Sequence, residues 1–139
     1  MVNIIKSSLE EIKDFNEKEW VFADQKYYGE GNGWKEEEFV FKAEEYGQIV
    51  GSISGKFEEG VLYIGDLIVA KDKREKGIGK MLLEKAEEFG KNMGAHKSYL
   101  ITGEDWDVRK FYEDLGYKNT GGFKNHFRHV NFVVYEKLF

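Results

Sequence analysis

Arg74-Glu75-Lys76-Gly77-Ile78-Gly79 stands between an apolar run that ends at Ala70 and a helix-patterned run that begins at Ile78. Two glycines around one residue let a backbone curl tightly, and the first turn of a helix leaves N–H groups without intrahelical acceptors. Those donors converge, and the helix dipole adds partial positive charge to them. The chemistry this stretch can do is therefore to hold an anion, a pyrophosphate above all. Spacing sets two other phosphate loops aside. A Walker loop needs glycine where Arg74 stands and Ser or Thr where Met81 follows Lys80, and the dinucleotide fingerprint needs a third glycine at Leu82.

A second chemical group lies downstream in Val108-Arg109-Lys110-Phe111-Tyr112-Glu113-Asp114-Leu115-Gly116-Tyr117. The phenol of Tyr112, with an ordinary pKa of about 10, is protonated at neutral pH and can give up its proton. Taken together, the two stretches resemble the GNAT N-acetyltransferase superfamily. Arg-x-x-Gly-x-Gly after a strand is similar to its motif A, whose loop amides hold the pyrophosphate of acetyl-coenzyme A. Residues 111–117 resemble its Phe-Tyr-Glu-x-Leu-Gly-Tyr helix. The resemblance is close from Val61 to Tyr117; up to about Lys56 only the order of elements matches.

That resemblance implies an acetyl-coenzyme A-dependent N-acetyltransferase acting on a primary amine of a small molecule or peptide. The alternative it leaves open is a non-catalytic acyl-coenzyme A binding or regulatory module on the same fold. It assigns the pyrophosphate to the loop of Arg74, Glu75, Lys76, Gly77, Ile78, Gly79 and Lys80, and the pantetheine arm to the backbone of Leu67, Ile68 and Val69. Asp105 stands where relatives commonly carry an Asn that touches that arm, and an acid there accepts hydrogen bonds but does not donate as an amide does. Tyr112 falls at the family's general acid beside the thioester sulfur; the competing view is that it is one of four residues on the buried face of its helix. For the base, Asp66 is taken first, with Glu30, Glu104 or a water chain as alternatives. The chain has no cysteine, so a covalent acyl-thioenzyme is impossible, which favours direct attack in a ternary complex. Acceptor choice is assigned to the aromatic, glycine-rich residues 27–34 and to residues 123–132, the competing view being that these aromatics complete the core.

Composition narrows the remaining classes. With 139 residues, 41% hydrophobic and 16% aromatic, the chain reads as one domain, 1–139, with room for a real core. The absence of cysteine also removes disulfides and thiolate metal sites. A net charge of −5 argues against a nucleic-acid partner, and a negative surface suits either a cationic partner or plain solubility. No apolar run approaches the roughly 20 residues that cross a bilayer, and the N-terminus lacks a signal-peptide stretch, so a cytoplasmic protein without a membrane partner is expected. A homodimer is compatible with this reading.

The elements that must position these groups follow from patterning. Residues 3–6 read as a short strand, and Ser8-Leu9-Glu10-Glu11 as a capping box that starts a helix with Leu9, Ile12, Phe15 and Trp20 as its buried stripe. Residues 27–34 read as a loop, and Glu36-Glu37-Glu38 as a solvated helix end. A hairpin follows, with Phe39, Phe41 and Ala43 alternating, a turn at Tyr46-Gly47, and Ile49, Ile53 and Phe57 on one face. Glu58-Glu59-Gly60 makes a second turn. Residues 61–70 are apolar on both faces, as in a central strand, with a bulge at Gly65-Asp66. Ile78, Leu82, Ala86, Phe89 and Met93 mark a helix that Gly94 can end, and residues 98–102 a strand parallel to the central one. Asp105 is expected to cap a helix with Val108, Phe111, Tyr112 and Leu115 on one face, closed by Gly116, and residues 117–139 to form a final antiparallel pair. His126 and His129 then point to opposite faces of a strand and, with His96, make no zinc site. The fold class is α/β (α+β): a mixed, mostly antiparallel six- to seven-stranded sheet with helices on both faces and a bulged central strand.

Overall fold

The computed structural model describes residues 1–31 and 33–139; Asn32, within the expected aromatic loop, lies outside the described residues. The chain divides into two compact units, residues 1–34 and 35–139. The first is built on helix α1, Leu9–Tyr28. Ser8 starts it as read from the sequence, extended at φ −128° with its Oγ accepting from the Glu11 N–H at 3.2 Å. Gly29 ends it at φ +85°, its N–H bonded to the Gln25 carbonyl, so Tyr27 and Tyr28 belong to the helix and not to a loop.

Two expectations fail in this unit. Residues 3–6 form no strand, because no described strand pairs with them. The stripe of Leu9, Phe15 and Trp20 is exposed, and Ile12 is half-exposed. Trp20, Val21 and Phe22 are consecutive and spread around the helix, so the apolar residues never gather on one face.

The second unit is a sheet in which β1 (Glu36–Glu45), β2 (Gln48–Glu58), β3 (Val61–Val69), β4 (Lys97–Gly103), β5 (Lys118–Phe123) and β6 (Phe132–Leu138) lie in the order β1-β2-β3-β4-β6-β5. β3 and β4 run parallel, and the other neighbours are antiparallel. Helix α2 (Ile78–Asn92) makes the crossover between the parallel pair, and α3 (Arg109–Asp114) follows β4. Among the described residues no helix is long and apolar enough to cross a membrane.

Both tight turns lie where glycine allows them: Tyr46-Gly47 and Glu59-Gly60 each hold two successive positive φ angles, the twist that antiparallel hairpins need. Glu36, Glu37 and Glu38 open β1 instead of ending a helix; Lys56 on the paired strand gives Glu36 a partner at 3.2 Å. The register slips between Ala43↔Gly51 and Glu44↔Ile49, which leaves Val50 as the extra residue. A one-residue slip exchanges the faces, so Val50 is 8% exposed while Ile49, expected inside, is 63% exposed.

The core lies between the sheet and α2, where Phe39, Ile53, Phe57, Leu62 and Ile64 meet Ile78, Leu82, Leu83 and Ala86. Gly90 lets α2 come close: a Cβ there would sit 2.9 Å from Leu62 Cδ2. At its end the core is closed by polar groups. The buried Tyr117 hydroxyl donates to Glu87 Oε2 at 2.8 Å and lies 3.0 Å from Ser98 Oγ, while Lys137 Nζ reaches both Glu87 oxygens at 3.0 and 3.1 Å. Burial pushes the Tyr117 phenol well above its ordinary pKa. Tyr117→Phe leaves Glu87 and Ser98 each short of a partner. It should cost about 1–3 kcal/mol, read as a lower urea midpoint with unchanged slope. An unchanged midpoint would contradict this role.

Candidate active site

The site begins where the sheet comes apart. β3 and β4 share only the pairs Val61↔Lys97, Leu62↔Ser98 and Tyr63↔Tyr99. Just beyond, the β2–β3 register passes from Gly55↔Ile64 to Ser54↔Asp66, so Gly65 is the extra residue of a bulge. The bulge expected at Gly65-Asp66 is therefore present, and past it β3 has no strand on its β4 side. A cleft of about 630 Å³ opens there, lined by Leu67, Val69, Ile78, Phe111, Tyr112 and Leu115, with the 74–80 loop at its end.

That loop is built to leave donors free. Glu75 takes φ +64° and Gly77 φ +85°, a conformation that turns the chain into α2 without a side-chain cap. The first helical bond is from the Met81 N–H to the Gly77 carbonyl at 3.0 Å. Among the described residues, the backbone N–H groups of residues 75–80 donate to no protein acceptor. Arg74 pins the loop to the end of β3 through Nε to the Val69 carbonyl at 3.0 Å. A Cβ built on Gly77 meets nothing within 4 Å, so space stands open beside these amides, while one on Gly79 would touch Phe111 at 3.4 Å and Val69 at 3.7 Å. At Gly79, β3, α2 and α3 converge. Converging amides, a helix N-terminus and open space suit a diphosphate.

Tyr112 forms part of the cleft wall and packs against the rings of Phe111, Tyr117 and Tyr135 at 5.0, 6.0 and 6.3 Å. Burial pushes its phenol up to about 12. The hydroxyl makes no hydrogen bond within the described protein, yet no buried side-chain polar atom is left without a partner. The hydroxyl is therefore not sealed in the core; it can serve a molecule in the cleft.

Leu67, Val69, Arg74, Glu75, Gly77, Ile78, Gly79, Lys80 and Tyr112 line one cleft, as the sequence groups them. Lys76 lies in the same loop outside that lining, and Ile68 and Asp66, alternating with Leu67, lie on the opposite face of β3, both exposed. Asp105 sits in a turn outside the lining and does not cap α3, whose N-cap is Val108 with no side-chain bond. Arg109 fastens this end instead, with Nη1 to the Glu104 carbonyl at 2.6 Å and Nε to the Tyr135 hydroxyl at 2.9 Å. Sequence reading missed that anchor. An arginine at the start of a helix, where the dipole disfavours cations, was the available signal.

His126 and His129 lie in the turn between β5 and β6, not in a strand; His126 stacks on Phe123 at 4.8 Å, and His129 Nδ1 lies 2.8 Å from Asn125 Oδ1. The run of positive φ angles at Asn125, Arg128 and His129 breaks the strand that was expected. Among the described residues no group of three or more His, Asp or Glu side chains could hold a metal ion.

A family model described as the acetyltransferase (GNAT) family matches residues 7–117. The chain belongs to the GNAT acetyltransferase family. Its fold is that of the family's solved structures. An acetyltransferase from Bacillus cereus ATCC 14579 superposes with a TM-score of 0.77 at 20% identity, over 99% of this chain and 98% of that one. A GNAT family acetyltransferase from Elizabethkingia anophelis with acetyl-CoA bound gives 0.67 at 19% identity, over 72% and 75%. At such identities the likeness is one of fold. No curated protein sequence matches this chain.

Two outcomes follow for this GNAT chain. Gly77→Val places a β-branched residue at φ +85° and disturbs the loop amides, so coenzyme A should bind at least about tenfold more weakly by calorimetry. Equal affinity would sink the assignment of the loop. In a spectrophotometric alkaline titration, the difference between wild type and Tyr112→Phe should show one phenol ionising near 12; ionisation near 10 would mean that the hydroxyl is freely solvated.

Proposed function

We propose that this chain is an N-acetyltransferase that moves an acetyl group from acetyl-coenzyme A to a primary amine of a small molecule or peptide, by direct attack in a ternary complex. The observation that carries this reading is one cleft bounded at its end by the unpaired amides of residues 75–80 and along its wall by the unpartnered hydroxyl of Tyr112. The family match supports it, as does the acetyl-CoA held by the Elizabethkingia anophelis protein. Residues 1–139 are read as one GNAT domain; the family match, residues 7–117, begins in the first compact unit and ends in the second, which supports that reading.

Bound in the cleft, acetyl-coenzyme A supplies an activated acyl thioester and a thiol leaving group. The amides of residues 75–80 hold its diphosphate, with Arg74, Lys76 and Lys80 adding positive charge around them. Backbone groups of β3 from Leu67 to Val69, on the side that β4 has left, take up amides as a neighbouring strand would. Tyr112 holds a proton at its phenol oxygen and gives it to the departing sulfur as the C–S bond breaks. The amine nitrogen, once unprotonated, forms the new C–N bond, and its surplus proton passes to Asp66 or to water. Asp66 lies at the bulge on the far face of β3, so this assignment has the proton acceptor and the proton donor served from opposite faces of the opened sheet.

Tyr112→Phe should lower turnover by roughly ten- to a thousandfold while leaving coenzyme A affinity near wild type. Because burial raises the Tyr112 pKa, the acid stays protonated as pH rises. The pH–rate profile should therefore climb with amine deprotonation and show no fall from loss of this proton below about pH 10. Full turnover by the Phe variant with a true acceptor would remove Tyr112 from the chemistry, and coenzyme A binding without turnover of any amine would favour a non-catalytic acyl-coenzyme A module.

A further inference from the structure

The 1–34 unit carries a cavity of its own, of about 760 Å³. Its floor is one stripe of α1. Glu17, Trp20, Asp24 and Tyr28 follow at intervals of three and four residues, which puts them on one face of a helix. Its other wall is the chain that returns after the Gly29 cap. Gly31 lets that chain lie against the helix: a Cβ there would stand 2.7 Å from the Val21 carbonyl oxygen, closer than any other residue type permits. The return brings Trp34 to Tyr28, with ring centroids 5.6 Å apart and planes tilted by 59°.

Two properties of this notch select its ligand. Trp20, Tyr28 and Trp34 remain 60%, 67% and 46% exposed, so they present ring faces to solvent and do not close a core. Ring faces carry negative potential and attract cations, tryptophan most of all. The polar side chains beside them are the neutral Asn16 and two acids: Asp24 has no ion-pair or hydrogen-bond partner among the described residues, and Glu17 meets only the exposed Lys13 at 4.0 Å. Three exposed aromatic rings and two carboxylates around a cavity of ligand size make a poor seat for an anion or a neutral polar molecule. They suit an ammonium group on an apolar body.

We propose that this notch binds an organic ammonium ion with an apolar or aromatic body, held by cation–π contact with Trp20 and Trp34 and by charge pairing with Asp24. Such an ion is also the class of acceptor an N-acetyltransferase takes, and in that respect alone the inference rests on the function proposed above. Its test does not.

The full chain, without coenzyme A, is titrated at pH 7 with phenethylamine and with its neutral counterpart 2-phenylethanol, following tryptophan fluorescence and calorimetry. The amine should bind at least about tenfold more tightly than the alcohol. Asp24→Asn should weaken the amine about fivefold or more and leave the alcohol unchanged, while Trp20→Ala should weaken both. Circular dichroism confirms that each variant folds, and should Trp20→Ala fail to fold, Asp24→Asn decides alone. Equal binding of amine and alcohol, or an Asp24→Asn protein with wild-type affinity for the amine, overturns the proposal. So does an apolar surface that takes a second copy of the chain instead, seen as a concentration-dependent dimer that the amine does not disturb. Coenzyme A affinity measured in parallel separates the two readings. Amine binding without coenzyme A binding leaves the notch standing and removes the acetyltransferase reading, and the reverse result removes only the notch.

Discussion

Three residue pairs, 61–63 with 97–99, join the two halves of this sheet, and the site depends on the pairing stopping there. Parallel strands are linked by a crossover, here α2, which must cross above them and start near the end of β3. If the ladder ran on to Val69, the inner edge of β3 would be consumed by hydrogen bonds to β4. It ends instead at a bulge, and the same step leaves backbone groups open and turns the start of α2 toward the gap. Gly65 supplies the extra residue without a side chain to place.

The opened gap is unfavourable unless something else fixes its walls. Polar groups do this on the α3 side: Arg109 links the Glu104 carbonyl to Tyr135, whose hydroxyl donates to Glu113 at 3.1 Å. Lys97 and Glu136 pair across β4 and β6, and Tyr117, Glu87, Ser98 and Lys137 tie α2 to the same strands. Aromatic packing around Tyr112 then holds its ring, so the phenol is oriented before any ligand arrives. Burial raises its pKa, which makes it a reluctant acid toward water but keeps it protonated where a thiolate would need it. On the function proposed above, donors at one end would meet a charged diphosphate and the proton held along the wall a departing sulfur.

Much of this was legible in the chain wherever one local rule decided the outcome. The glycine-hinged loop, the bulge at Gly65, the turns at Tyr46-Gly47 and Glu59-Gly60 and the buried stripe of α2 each follow from residue type and spacing. Errors fell where a longer-range partner decided. The acidic run at Glu36 looked like a helix end because Lys56, its cross-strand partner, is distant in sequence. Ile49 lost its place to Val50 through a register slip that no composition announces. Asp105 had the chemistry of a cap, but Arg109 fixed the turn through Tyr135, far along the chain. The stripe expected on α1 failed because apolar residues such as Trp20, Val21 and Phe22 occupy consecutive positions around the helix.

The claim that most else rests on is that the backbone amides of residues 75–80 bind diphosphate, and amide-resolved NMR reads it most directly. Titration of the labelled chain with coenzyme A should move the resonances of residues 75–80 most, followed by those of Leu67 to Val69. Largest shifts elsewhere, with the 75–80 amides unmoved, would contradict this account.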